Sequence, residues 1–137
     1  MKKNILFICR DHSARAPMAA AMINQEFNQH FFAQSTGIRA EHPSSLAIDV
    51  MREIGVHMPD APPQKIEDLL EEDIHLVITL CQDAKMQCPK FPRARGYAHK
   101  GFRDPGEPER ETPHEEEIRG SFRSVRDEIR LWLGKYF

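Results

Sequence analysis

Asn4-Ile5-Leu6-Phe7-Ile8, followed by Cys9-Arg10-Asp11-His12-Ser13-Ala14-Arg15 and then the alanine-rich run from Ala16 to Phe27, decides the fold. The first five residues are apolar and rich in β-formers, the next seven are polar, and Pro17 stands near the start of a stretch with helical composition. Strand, tight loop and helix are therefore expected in that order. The unit then repeats. Phe31 to Ser35 reads as a second strand closed by Thr36-Gly37, and Ser44-Ser45 caps a helix in which Leu46, Val50 and Ile54 recur at helical spacing before Gly55. Pro62-Pro63 are expected to open a third helix running through Leu69-Leu70. His75 to Leu80 is the most continuous apolar run, as suits a strand buried on both faces, with Cys81 at its carboxyl end. Gly96 to His99 is a weaker strand. Ile118 to Tyr136 closes the chain as a helix with Phe122, Val125, Ile129 and Trp132 on one stripe.

Strands alternating with helices predict a small doubly wound α/β domain over residues 1–137, with about four parallel strands flanked by helices. In such a sheet the functional crevice lies at the carboxyl ends of the strands. The segments leaving those ends are 9–15, 81–88 and 99–106, so the fold alone is expected to bring Cys9, Cys81 and Cys88 toward one edge. Pro105 to Glu117, with Pro108, Pro113 and several glutamates, reads as a solvated loop.

Composition narrows the function classes. The 137 residues are 40% hydrophobic and 29% charged, as in a globular chain of one domain, and the net charge of −2 provides no global basic field for nucleic acid or an anionic membrane. Any anion site must be local. The apolar run Ile5 to Ile8 is too short for a secretory leader, and nothing later reaches transmembrane length. Three cysteines, an odd and small number, argue for free thiols in a reducing compartment, so a cytoplasmic protein is expected. A monomer is expected as well. The seven histidines show no metal-ligand spacing, and no metal is expected.

Cys9 and Arg15 bracket the first loop. A loop of this length can turn the backbone N–H groups of Arg10, Asp11, His12, Ser13, Ala14 and Arg15 inward around a tetrahedral oxyanion. The following helix adds the positive end of its dipole, and Arg15 can grip two oxygens at once. The same field is expected to lower the pKa of Cys9 and supply a thiolate nucleophile. The plainer alternative is an inert buried thiol at a strand end with Arg15 on the surface.

The run Ile8 to Ala19 resembles the phosphate-binding loop of the low-molecular-weight tyrosine phosphatase family. Leu80-Cys81 with Cys88-Pro89, then Gly101-Phe102-Arg103-Asp104-Pro105, then Val125-Arg126-Asp127-Glu128-Ile129, resemble the thioredoxin-coupled arsenate reductases built on that fold. The resemblance runs nearly end to end, with its motifs in order. It implies a three-thiol relay. Cys9 attacks arsenate held by Arg15 and the loop amides while Asp104 protonates the leaving oxygen. Cys81 then attacks the adduct, releasing arsenite and leaving Cys9–Cys81, and Cys88 displaces Cys9 to give a Cys81–Cys88 disulfide that thioredoxin reduces. No bound cofactor is implied. If the segment is helical, Cys81 and Cys88 stand about 10 Å apart, beyond disulfide range, so the bond requires local unwinding.

The chain departs from the family's loop. Asp11-His12 stand where Gly-Asn is usual, Ala14 where a second cysteine is, and Ala16 where Ser or Thr is. A carboxylate at Asp11 is unfavourable beside an oxyanion unless it points outward, and loss of the hydroxyl at Ala16 raises the expected pKa of Cys9. His12 is expected either to keep the loop's hydrogen bonds in place of Asn or to titrate near neutral pH. Places matching the potassium ligands of some family reductases are His12, Ala20 and about Gln64, so no such cation site is expected. Two rival functions stay open: a phosphomonoester or phosphotyrosine hydrolase using Cys9, Arg15 and Asp104 alone, and a non-catalytic oxyanion sensor.

Overall fold

The computed structural model describes residues 1–106 and 114–137. Its elements are β1 (Lys3–Cys9), α1 (Arg15–Glu26), β2 (Phe31–Gly37), α2 (Ser45–Glu53), α3 (Ile66–Leu69), β3 (Leu76–Thr79), α4 (Gln82–Gln87), β4 (Tyr97–His99) and α5 (Glu115–Tyr136). The four strands form one sheet in the order β2-β1-β3-β4, and every pairing is parallel. Cys9 is in register with Gly37, and Ile8 with Thr79. The chain passes from β1 to one side at β2 and to the other at β3, so the strand order reverses between β1 and β3. A crevice opens outside the carboxyl ends of strands at such a reversal.

Burial explains the composition of the elements. Ile5 to Cys9 are buried without a break, as the interior strand of a sheet covered on both faces requires. On α1, Ala16, Ala19, Ala20 and Ala21 are buried, and these small side chains let the helix lie close on the sheet. The Ser44 hydroxyl accepts from the Leu46 amide to start α2. Gly55, at φ 74°, ends it, with the Gly55 and Val56 amides donating back to the carbonyls of Arg52 and Met51. Arg126, mostly buried, donates to the Val50 carbonyl and the Glu53 carboxylate and fastens α5 to α2.

Two expectations are corrected and one conditional reading is met. Helix α3 starts at Ile66 rather than at Pro62-Pro63, because a proline disfavours helical geometry in the residue before it, and the extended segment lets the Gln64 carbonyl accept from the Thr36 hydroxyl. The segment between Cys81 and Cys88 is helical, residues 82–87 forming α4 with Cys81 as its N-cap and Cys88 as its C-cap. Glu115 to Glu117 belong to the first turn of α5, where carboxylates face the positive end of the helix dipole, rather than to a loop. The remainder of that predicted loop, 107–113, lies outside the described residues.

Candidate functional site

The segment between β1 and α1 is held open from outside. The carbonyls of Cys9, Arg10, Asp11 and Ser13 accept from the amides of Ile38, Arg39, Glu41 and Ser44, at 3.0, 2.8, 3.3 and 2.7 Å. With those carbonyls turned outward, the loop's N–H groups are left for the inner side, and the amides of Ala16 and His12 point hydrogen bonds at the Cys9 sulfur. Gly37 makes the close approach possible, because a Cβ there would stand 2.5 Å from the Arg39 oxygen and 2.7 Å from the His12 nitrogen. Sequence reasoning saw Gly37 only as the end of a strand. The signal was its position opposite Cys9 in parallel register.

His12, 2% exposed, turns the corner at φ 59°. Its Nδ1 lies 3.0 Å from the Glu41 carbonyl oxygen and its Nε2 2.7 Å from the Ser35 hydroxyl. The left-handed position falls on His12, and the imidazole ties the loop to β2 and to the segment after it. Burial pushes the His12 pKa below its ordinary value, so the ring is neutral at neutral pH. Ser35 enters the network through this contact. Asp11 does not point freely outward: its side chain is largely covered, Oδ1 is buried without a hydrogen bond, and the nearest cation is Arg10, 3.8 Å away.

Cys9 is 1% exposed, and burial raises its thiol to about 11 against the opposing pull of Arg15 and the two amides. The expectation of a lowered pKa is thus reversed, because desolvation of a thiolate at a strand end in the core outweighs one neighbouring guanidinium. Arg15, 7% exposed, donates from Nη1 to the Phe102 carbonyl at 3.0 Å. That bond fastens the segment after β4 beside the loop.

A cleft of about 400 Å³ lies here, lined by Arg10, Arg15, Cys81, Arg103 and Asp104 among others. Asp104 faces the cleft and also caps a tight turn, its Oδ1 accepting from the Gly106 amide at 2.9 Å. Arg10 Nε lies 3.6 Å from Asp83 Oδ2 in the first turn of α4. The Cys81 sulfur accepts from the Ala84 amide at 3.4 Å. Cys88 sits apart, donating to the Pro89 carbonyl, in a separate cavity of about 260 Å³ lined by Thr79, Lys85, Tyr97 and His99. Burial raises its pKa. The sheet edge therefore gathers Cys9 and Cys81 as expected, while Cys88 stands a helix length away.

His12, Ala20 and Gln64 do not make a cation cage: His12 is engaged as described, Ala20 offers no ligand, and the Gln64 carbonyl takes the Thr36 hydroxyl. Among the described residues no three His, Cys, Asp or Glu side chains are placed to hold a metal ion.

This arrangement can hold a tetrahedral oxyanion against a cysteine sulfur, with a carboxyl group and a second thiol on the same cleft. The arsenate reductase of Staphylococcus aureus is 34% identical over 136 residues, 98% of this chain and 96% of that protein. That of Bacillus licheniformis is 35% identical over 128 residues, 93% and 90% of the two chains. Among solved structures, an arsenate reductase in the phosphate binding state superposes with a TM-score of 0.73 at 21% identity, covering 98% of this chain and 99% of that one. The Erwinia amylovora tyrosine phosphatase AmsI gives 0.70 at 18% identity, covering 98% and 93%. The family model for low molecular weight phosphotyrosine protein phosphatase matches residues 4–137, nearly the whole of the sequence that builds the loop, the cleft and the sheet beneath them, and the chain belongs to that family.

Proposed function

We propose that this enzyme reduces arsenate to arsenite through Cys9, Cys81 and Cys88 and is recycled by thioredoxin. The observation that carries the reading is Cys81, which a hydrolase does not need, on the same cleft as Arg15 and Asp104 and joined by one short helix to Cys88.

Arsenate is held by the amides of residues 10–15 and by Arg15, where backbone donors and a guanidinium meet the oxyanion without reorganising. Cys9 attacks arsenic. Because its thiol is raised to about 11, the proton leaves with the attack and passes to an arsenate oxygen. Asp104 protonates the departing oxygen, which leaves as water. Cys81 attacks the Cys9 sulfur of the adduct, its proton passing to an arsenic-bound oxygen; the sulfur–arsenic electron pair stays on arsenic, which falls from the +5 to the +3 state and leaves as arsenite. A Cys9–Cys81 disulfide remains. Cys88 attacks Cys81, Cys9 departs as a thiolate, and the Cys81–Cys88 bond passes to the dithiol of thioredoxin. The reading places the enzyme in the cytoplasm as a monomer.

A second reading is favoured by the family's own description and by Asp104: hydrolysis of phosphate monoesters, including phosphotyrosine, with water completing the second step. One preparation assayed for arsenite release and for aryl phosphate cleavage separates the two. Cys9→Ser is expected to abolish both. Asp104→Asn is expected to slow both about 100- to 10,000-fold with little change in phosphate affinity. The Cys81→Ser, Cys88→Ser double variant is expected to lose arsenite release alone. Undiminished multiple-turnover reduction in that double variant refutes the relay, and arsenate binding without turnover in the wild type favours a sensor.

A further inference from the structure

We propose that His99 is the general base that takes the Cys88 proton when Cys88 attacks the Cys9–Cys81 disulfide, an inference that rests on the relay above. Cys88 needs such help. Its sulfur is at the carboxyl end of α4, the negative end of the helix, is half-buried, and donates to the Pro89 carbonyl, three conditions that all favour the thiol over the reactive thiolate.

The partner is in the same cavity. His99 ends β4 and lines the 260 Å³ cavity with Cys88 and Lys85. Its Nδ1 lies 2.8 Å from the Thr79 hydroxyl, which is itself directed at the Ala98 carbonyl at 3.5 Å. A hydroxyl that donates to the carbonyl accepts from Nδ1–H, and that tautomer leaves the lone pair on Nε2. Nε2 stands 3.7 Å from where a Cβ on Gly101 would be, and Gly101 lines the main cleft. The ring thus lines the Cys88 cavity with Nε2 near Gly101, and that nitrogen is the one free to take a proton.

The step balances. The Cys88 sulfur bonds to Cys81, the Cys9–Cys81 bond breaks with its electron pair on Cys9, and the Cys88 proton moves to His99, which is exposed, and from there to solvent. No oxidant is needed beyond the disulfide that arsenate reduction leaves. The charged and titratable groups facing His99 in the cavity are Lys85 from α4, Cys88 at its end and Tyr97 from β4. Burial and then the Lys85 charge hold His99 below its ordinary pKa of 6.5, so it is a free base at neutral pH.

The test is a rapid-quench single turnover with stoichiometric arsenate, the disulfides mapped by mass spectrometry as Cys9–Cys81 converts to Cys81–Cys88. In the wild type the conversion rate is expected to be flat from about pH 6.5 to 9, because the base is already neutral. In His99→Gln it is expected to fall about 100-fold at pH 7 and to rise tenfold per pH unit through pH 9, following the Cys88 thiol. Imidazole added to His99→Gly is expected to restore part of the rate. A wild-type profile that itself climbs tenfold per unit through pH 9 overturns the proposal without any variant, as does a wild-type rate in a folded His99→Gln. Failure of the relay reads differently: Cys88→Ser then does not accumulate Cys9–Cys81.

Discussion

Cys9 and His12 are the residues at which this loop differs most from a simple thiolate cradle. Cys9 keeps its proton through the neutral range, because its place at the end of a fully buried strand outweighs Arg15 and two amides. With the folded pKa near 11 and the unfolded one at 9.0, the thiol contributes stability that is full below pH 9 and is lost as pH rises through 11. In a background lacking Cys81 and Cys88, alkylation of Cys9 by iodoacetate is expected to climb tenfold per pH unit to near pH 11, and phosphate is expected to protect it. A plateau below pH 9 contradicts this placement. His12 does by hydrogen bonding what the φ of 59° demands, and its ring is satisfied at both nitrogens. Its lowered pKa means that the stability it contributes is present above pH 6.5 and is lost as pH falls below that value. His12→Ala leaves the Glu41 carbonyl and Ser35 hydroxyl without their partner and strains the backbone, a loss of about 1–3 kcal/mol in denaturant unfolding together with weaker phosphate binding. His12→Asn, whose side chain tolerates the left-handed region, is expected to recover much of both. Equal losses in the two variants refute a role for the backbone corner.

At the scale of elements, α4 decides whether the relay operates. It has only six residues and holds Cys81 and Cys88 at its two ends, so a bond between them cannot form around an intact helix. Oxidation is expected to unwind it: amide exchange in residues 82–88 rises by an order of magnitude or more after arsenate treatment, while α1 and β1 keep their protection. Unchanged exchange in that segment contradicts the pairing. The bridge from Arg10 to Asp83 is solvent-exposed, contributes at most a fraction of a kcal/mol, and offers little resistance to that opening. The same shortness explains what was hard to read. β1, α1 and α5 carry long apolar runs or stripes and are legible in the sequence, as is the placing of Cys9 and Arg15 around a strand-to-helix loop. Helix α4 is too short for periodicity to show, and α3 was displaced because proline chemistry at 62 and 63 was read as a start signal instead of an extended lead-in. Ser35, Gly37 and Glu41 act through contacts that only the parallel register of β1 with β2 brings about.

Across the whole molecule, the reversal of strand order between β1 and β3 is what makes one chemistry out of separate segments. It sets the loop after β1 beside the start of α4, and Arg15 then fastens the segment after β4 through the Phe102 carbonyl. Phe102 in turn meets Trp132 of α5 edge to face, and α5 is anchored on α2 by Arg123 and Arg126, whose hydrogen bonds to Glu53 hold that carboxyl down at about 2. The cleft is thus braced from the last helix, while α4, the element that the proposed relay requires to unwind, lies at its rim. The central claim, that this braced site passes two electrons from Cys81 and Cys88 to arsenate, is tested most directly by incubating the reduced protein with arsenate in the absence of any other reductant. The account predicts one arsenite per chain and a loss of two hydrogens in mass, mapped by digestion to a Cys81–Cys88 bond, with Cys88→Ser stopping at Cys9–Cys81. Arsenite formed while all three thiols remain free, or none formed by a protein that cleaves aryl phosphate, would contradict it.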